Sequence, residues 1–398
     1  MTKQTIAINT PFPHPDAYGS LSMPVYNTCA YKFSTAADMT AAFTGKVLEP
    51  DYSRTMNPTV TYLEDKVKAL TGAANVFAFN SGMAAISNAL LALTAQGTNI
   101  VTSRHLFGNT YSLISKTLNR FGVEGRFIDL TDAGAVDAAI DENTACLFLE
   151  IVTNPQMEVA DLSTLAKIAH RHGIPLVADT TMIPFTEFSS HQHGVDVELV
   201  SSTKYLSGGA TSLGGLVIDY GTFPVVNERL RFEMLFNVGA YMTPHAAYMQ
   251  TLGIETLNAR YRLQAANAQQ LSERLEAYVG SETWNDLKAV NYLGLQSHQY
   301  HATAKRQFGD TYGAMLTIDL TDEQTCYRFI NSLRLIHRAT NLFDNKTLAI
   351  HPYSTIFGNF SAEEKAKMDV KPTTIRISVG LENVDDLFED IRQALLLS

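Results

Sequence analysis

Between residues 73 and 220 the sequence alternates short apolar runs with stretches of helical spacing, and this alternation constrains the fold more than any other feature. The runs are Asn75–Phe79, Asn99–Thr102, Gly125–Leu130, Ala145–Val152, Pro175–Ala178, Val195–Val200 and Leu213–Ile218. Cys146 to Leu149 and Leu176 to Ala178 are apolar at every position. A strand that is apolar on both faces must be covered on both, which is the condition of a parallel sheet layered by helices. Strands alternating with helices therefore predict an α/β domain built on a mainly parallel, seven-stranded sheet.

The flanks read differently. Pro11, Pro13, Pro15, Pro24, Pro50 and Pro58 punctuate the first 60 residues and leave no room for a long regular element, so residues 1–60 are predicted to be an extended arm. A helical stretch from about Ala246 to Tyr278 follows the sheet region. Beyond it, Gly313–Leu320 and Thr374–Val379 read as strands and Val384–Leu397 as a closing helix. The expected division is an arm at 1–60, a large α/β domain at 61–254 and a smaller C-terminal α+β domain at 255–398.

Charge and composition narrow the function. With 30 Lys plus Arg against 40 Asp plus Glu, the net charge is −10, the wrong sign for a protein dedicated to nucleic acid. No apolar run reaches the roughly 18–20 residues of a membrane span, and the start lacks a continuous apolar signal core. Cys29, Cys146 and Cys326 are odd in number and far apart, which fits reduced thiols in a cytoplasm. Only 18% of residues are charged, against about 25% in a typical domain. Surface so poor in charge suits burial between subunits.

Five stretches carry groups suited to chemistry. Lys204 follows a predicted strand and the hydroxyl residues Ser202 and Thr203, and precedes Gly208 and Gly209. A lysine just beyond a buried strand can lose its proton by desolvation and form a Schiff base, although a solvated loop lysine has the same sequence appearance. Asp179 ends another strand, where open α/β sheets bind ligands; it could pair with a protonated pyridine nitrogen or merely cap a helix. Ser81 and Gly82 stand where a strand turns into a helix, and free amides at a helix start bind phosphate. Tyr52 and Arg54 in the arm offer further phosphate partners. Arg376 alternates with Ile375 and Ile377 on a strand, and its fork suits a carboxylate if that face lines a cleft. His170 with His172, and His191 with His193, are spaced i, i+2 with no third ligand indicated, so no metal site is expected.

Taken in order, Tyr52 to Thr59, Ser81 to Ile86, Asn154-Pro155, Asp179 to Thr181, Ser201 to Gly209 and Ile375 to Glu382 resemble the Cys/Met-metabolism family of pyridoxal-phosphate enzymes. The likeness runs from about residue 20 to 395, and the ordered set is far more specific than any one motif. The resemblance implies an aspartate-aminotransferase-like fold of type I and a cytoplasmic homotetramer, a dimer of dimers with shared active sites. It implies pyridoxal 5'-phosphate bound through Lys204, which then shuttles protons. Asp179, beside Thr181, would hold the ring nitrogen, and Ser81, Gly82, Met83, Ser201 and Thr203 the phosphate. Tyr52 and Arg54 would reach the neighbouring subunit's site. Asn154 would lie near the cofactor, and Arg376 with Asn341 would bind the carboxylate of a small amino-acid substrate.

Three departures bear on the reaction. Phe107 stands where the family usually has a tyrosine that stacks on the cofactor ring; phenylalanine stacks but moves no proton. Acetate leaves with less acid help than a thiolate does. Asn109 stands where many lyases have cysteine, and Asp344 matches the sulfhydrylases although Phe343 replaces an expected glycine. The resemblance thus implies γ-replacement on O-acetylhomoserine with sulfide or a thiol, giving homocysteine and acetate for methionine biosynthesis. A methionine or cystathionine γ-lyase and a cystathionine γ-synthase share every cofactor residue. A non-catalytic cofactor-binding protein would need a damaged site, whereas Lys204, Asp179 and Arg376 are all present.

Overall fold

The computed structural model describes residues 1–13 and 16–397; His14, Pro15 and Ser398 lie outside the described residues. All seven predicted strands form, as β1 (Asn75–Phe79), β2 (Asn99–Ser103), β3 (Glu124–Ile128), β4 (Thr144–Glu150), β5 (Leu176–Asp179), β6 (Val197–Val200) and β7 (Gly215–Asp219). Together they make the larger, seven-stranded sheet. The chain divides into two compact units, one of Met1–Thr94 with Asp196–Glu255, the other of Ala95–Val195 with Thr256–Ser398.

The first unit holds the run β1-β7-β6. Here β7 lies antiparallel to both neighbours, with Phe79 opposite Gly215 and Val197 opposite Asp219. Phe77, Phe79, Leu199 and Val217 lie on one face of this run and Val76, Ala78, Leu216 and Ile218 on the other, and all are buried. Helix Pro58–Thr71 starts on the Asn57 cap, with proline at its first position, and stops at Gly72 in the left-handed conformation. The arm is less extended than its prolines suggest, because Lys3–Asn9 and Ala36–Phe43 are helical. Thr35 and Asp38 close a capping box on the second of these. Lys66 is fully buried and donates to the Ala7 carbonyl at 2.7 Å and to Glu255 at 3.2 Å, which ties the first helix down.

The second unit holds the parallel run β5-β4-β2-β3. In β4 every residue except Ala145 is buried, as its two apolar faces require. The unit also holds a five-stranded sheet, in the order β10 (His337–Arg338), β11 (Leu348–Ile350), β12 (Thr374–Ser378), β9 (Met315–Leu320) and β8 (Leu287–Asn291). Its pairings are antiparallel apart from β10 with β11. The closing helix is Val384–Leu396. One expectation needs correction: the stretch from Ala246 to Tyr278 is two helices, Pro244–Glu255 and Leu257–Glu276. Thr256 separates them, and its hydroxyl accepts from Arg260 Nε at 3.1 Å.

Among the described residues no helix is long and apolar enough to cross a membrane. All three cysteines are free thiols, Cys146 and Cys326 buried and Cys29 exposed.

Candidate active site

In the first unit the predicted phosphate residues gather at the start of helix Gly82–Leu93. Ser81 is its cap, its Oγ accepting from the Ala84 amide at 3.1 Å. The first-turn amides point out of the helix start, where its dipole is positive. Glycine is required at position 82: a Cβ there would lie 2.6 Å from Ser201 Oγ and 2.7 Å from Ser201 Cβ. Its absence lets the Ser201 hydroxyl stand against the helix start. Gly215, the first residue of β7, is equally obligatory, since its Cβ would meet the Ser81 carbonyl at 2.2 Å.

Ser201 to Lys204 form the turn that leaves β6. Thr203 Oγ1 accepts from the Gly214 amide at 3.0 Å and donates to its carbonyl at 3.1 Å. The Lys204 amide donates to the Ser201 carbonyl at 3.1 Å, and Lys204 leads into the short 3-10 turn Tyr205–Ser207. Helix Pro244–Glu255 backs that turn at Gly253, where any side chain would strike the Leu206 carbonyl. Lysine, hydroxyls and helix start are thus fixed together by backbone. Tyr52 and Arg54 form a pair of their own, the guanidinium 5.5 Å from the Tyr52 ring centre and donating to the Phe236 carbonyl at 2.5 Å.

In the second unit the predicted residues collect around a group that sequence reasoning missed. Glu150 ends β4 directly beside Asp179, which ends β5. It is buried, accepts from the Phe107 amide at 2.6 Å, and is also bonded by the Asn154 amide. Burial first, then the Asp179 charge, pushes its pKa well above the usual carboxylate range. Asp179 accepts from the Thr181 amide at 2.9 Å. Asn154 Oδ1 in turn accepts from Arg376 Nη1 at 3.2 Å, while Nη2 donates to the Thr340 and Asn341 carbonyls, each at 3.3 Å. Phe107, Asn154, Asp179, Thr181, Asn341 and Arg376 are therefore linked through Glu150 and neighbouring amides. The signal that could have found Glu150 is the one used for Asp179, a carboxylate at the end of a buried strand.

Arg376 is 2% exposed, with no carboxylate among these partners and its Nε without a hydrogen-bond partner. A buried cation bonded only to neutral oxygens is a site prepared for an anion. Phe343, on the same loop as Asn341, has φ 56°. That left-handed conformation costs about 1 kcal/mol outside glycine, which accounts for the glycine expected there. Its amide is held by Ser378 Oγ at 2.7 Å.

The histidines make other contacts: His172 bonds Asp137 at 2.8 Å, and His193 stacks on Phe188. Among the described residues no group of three or more His, Cys, Asp or Glu is arranged to hold a metal.

The helix-start cradle with its hydroxyls fits a phosphate, the strand-end carboxylate fits a protonated ring nitrogen, and the buried arginine fits an amino-acid carboxylate. These are the parts of a pyridoxal-phosphate enzyme of the aspartate-aminotransferase-like fold. The chain belongs to the family of Cys/Met metabolism PLP-dependent enzymes, whose model matches residues 4–396. It is 36% identical to an O-succinylhomoserine sulfhydrylase of Pseudomonas aeruginosa, over 93% of this chain and 90% of that one. It is 34% identical to an L-methionine gamma-lyase of Pseudomonas putida, over 99% and 97%. A crystal structure of a putative O-acetylhomoserine (thiol)-lyase from Campylobacter jejuni, holding N'-pyridoxyl-lysine-5'-monophosphate, matches with a TM-score of 0.93 at 33% identity, over 99% of this chain and all of that one.

Proposed function

We propose that the protein catalyses γ-replacement on an O-acylated homoserine, with O-acetyl-L-homoserine as the preferred ester and sulfide or a thiol as the incoming group. The products are homocysteine or its thioether and the carboxylate. The observation that carries this choice over the lyases is Phe107, a ring with no ionisable group on the turn fixed to Glu150. It can press on a cofactor ring but cannot protonate a departing thiolate, whereas acetate departs as a stable anion. Sulfhydrylase and lyase relatives stand at similar identity, so family membership alone does not choose between them.

In this reading Arg376 binds the substrate carboxylate through its open Nε, while Nη2 stays on the Thr340 and Asn341 carbonyls. Asn154 orients that guanidinium. Pyridoxal phosphate, held by Ser81, Gly82, Met83, Ser201 and Thr203, supplies an electron sink for the carbon next to the amine. Asp179 keeps the ring nitrogen protonated, and Thr181 fixes that carboxylate. Lys204 anchors the cofactor and, once free, accepts the Cα proton. Lys204 then moves a proton off Cβ, so that a Cβ–Cγ double bond forms as the C–O bond at Cγ breaks and its electron pair leaves on acetate; sulfide adds at Cγ, and protons return to Cβ and then, from Lys204, to Cα. Tyr52 and Arg54 complete the phosphate site of a neighbouring copy in a cytoplasmic dimer of dimers. Incubating purified protein with O-acetylhomoserine and sulfide is expected to yield homocysteine; no homocysteine, with brisk methanethiol release from methionine, overturns the proposal.

A further inference from the structure

A polar cavity of about 510 Å³ lies in the unit that carries Phe107 and Asn154. Against it sits His105, 6% exposed and two residues before Phe107. Its Nδ1 lies 3.0 Å from Glu158 Oε2 and its Nε2 lies 2.7 Å from Asp369 Oδ2. A neutral imidazole carries one proton, so it could satisfy only one of two carboxylates; with an acceptor on each nitrogen the ring is held as imidazolium. Arg104 Nε points its N–H at the same Nε2 at 3.3 Å, a bond the ring can accept only once that nitrogen has lost its proton, and Arg104 Nη2 is 3.4 Å from Asp369.

Each partner leads to the site already described. On one side the His105 amide donates to Ser103 Oγ at 2.9 Å, which shapes the turn presenting Phe107. On the other, the Glu158 amide donates to Thr153 Oγ1 at 2.9 Å and the Thr153 amide to the Glu158 carbonyl at 3.0 Å, closing the loop that contains Asn154. Tyr300 Oη donates to Glu158 at 3.3 Å. The third anchor is strained: Asp369 has φ 52°, a conformation that persists only where the surroundings over-determine it. Gln156 Nε2 donates to the adjacent Met368 carbonyl at 2.6 Å, so the same two loops are joined twice.

We propose that His105 is a positioning residue, its imidazolium clamped between Glu158 and Asp369 so as to lock the Phe107 turn to the Asn154 loop, and that loss of its proton unlocks them. The Asp369 side chain is 52% exposed, which gives solvent a way to the proton. The groups facing His105 or lining its cavity are Glu158, Asp369, Asp129, Arg104, Tyr300, His298, Asp319 and Lys371. Burial works against the charge, yet the two carboxylates outweigh it and raise the pKa above the ordinary histidine value. The sign follows. A group whose folded pKa is raised contributes its full stabilisation below the unfolded value near 6.5, and loses it as pH rises through the folded value.

The experiment compares wild type, His105→Gln, Glu158→Gln and Asp369→Asn, all loaded with cofactor, by melting temperature and by kcat with O-acetylhomoserine from pH 6 to 9.5. The melting gap between wild type and His105→Gln is expected to be widest near pH 6 and to close at higher pH. In wild type kcat falls on an alkaline limb; His105→Gln loses that limb and falls about tenfold to a hundredfold at pH 7, the scale of a misplaced site. Asp369→Asn, at a half-exposed position, keeps the limb but moves it to lower pH, as does Glu158→Gln. A pH-independent gap, or a wild-type limb in His105→Gln, overturns the clamp. The kinetic arm rests on the proposed reaction while the melting arm does not, so a wild type that fails on the ester but shows the closing gap condemns the reaction and keeps the clamp.

Discussion

Gly82→Ala tests the phosphate cradle in the first unit. The added methyl would stand 2.7 Å from Ser201 Cβ and 3.1 Å from its Cα, where ordinary contact begins at 3.4 Å. The Ser201 hydroxyl could rotate away, but its Cβ and Cα cannot, so the helix start and the turn leaving β6 must part by about 0.7 Å. Overpacking of this kind costs about 1–3 kcal/mol. The same movement draws the Ser201 hydroxyl off the helix start, and a bond to a charged phosphate is worth about 1.5–3 kcal/mol, which converts to roughly 10- to 100-fold weaker cofactor binding. Titration of apoprotein with pyridoxal phosphate, followed by visible absorbance, measures this directly. The double variant Gly82→Ala, Ser201→Gly removes the obstructing atoms and the hydroxyl together. It should therefore recover stability while leaving affinity low. Wild-type affinity and melting temperature in Gly82→Ala would refute the cradle.

Arg376→Lys exchanges a fork for a point charge, and kcat/KM on the ester should fall about 10²–10⁴-fold, mostly in KM, as steady-state kinetics will show. Glu150→Gln keeps an acceptor for the Phe107 amide but removes the buried acid. Because the folded pKa of Glu150 is raised, wild type loses stability as pH climbs above about 4.5, so the variant's melting temperature should gain on wild type from pH 4.5 upward. Mixing inactive Arg54→Ala with inactive Lys204→Ala chains should restore activity through hybrid dimers, read by turnover after proven subunit exchange.

The strands were legible because burial on both faces leaves an uninterrupted apolar run, as in Cys146 to Leu149. Lys204 and Asp179 stood out as charged residues among small hydroxyl residues, at or just past the ends of such runs. Glu150 also ends a run and was passed over, because its two bonds are to backbone amides that no side-chain motif records. His105 was invisible for a related reason: its partners are 53 and 264 residues away in sequence. The helix break at Thr256 falls inside one continuous stretch of helical spacing, so apolar spacing does not encode it. Tyr52 and Arg54 carry a motif that implies a second subunit, and in the single chain they pair with each other.

The partition between replacement and elimination on a single enzyme sample tests the functional account most directly. O-Acetylhomoserine is supplied with and without sulfide, and homocysteine and 2-oxobutyrate are measured together. Sulfide is expected to divert turnover to homocysteine as the main product. Release of 2-oxobutyrate at the same rate with and without sulfide, with no homocysteine formed, would contradict it.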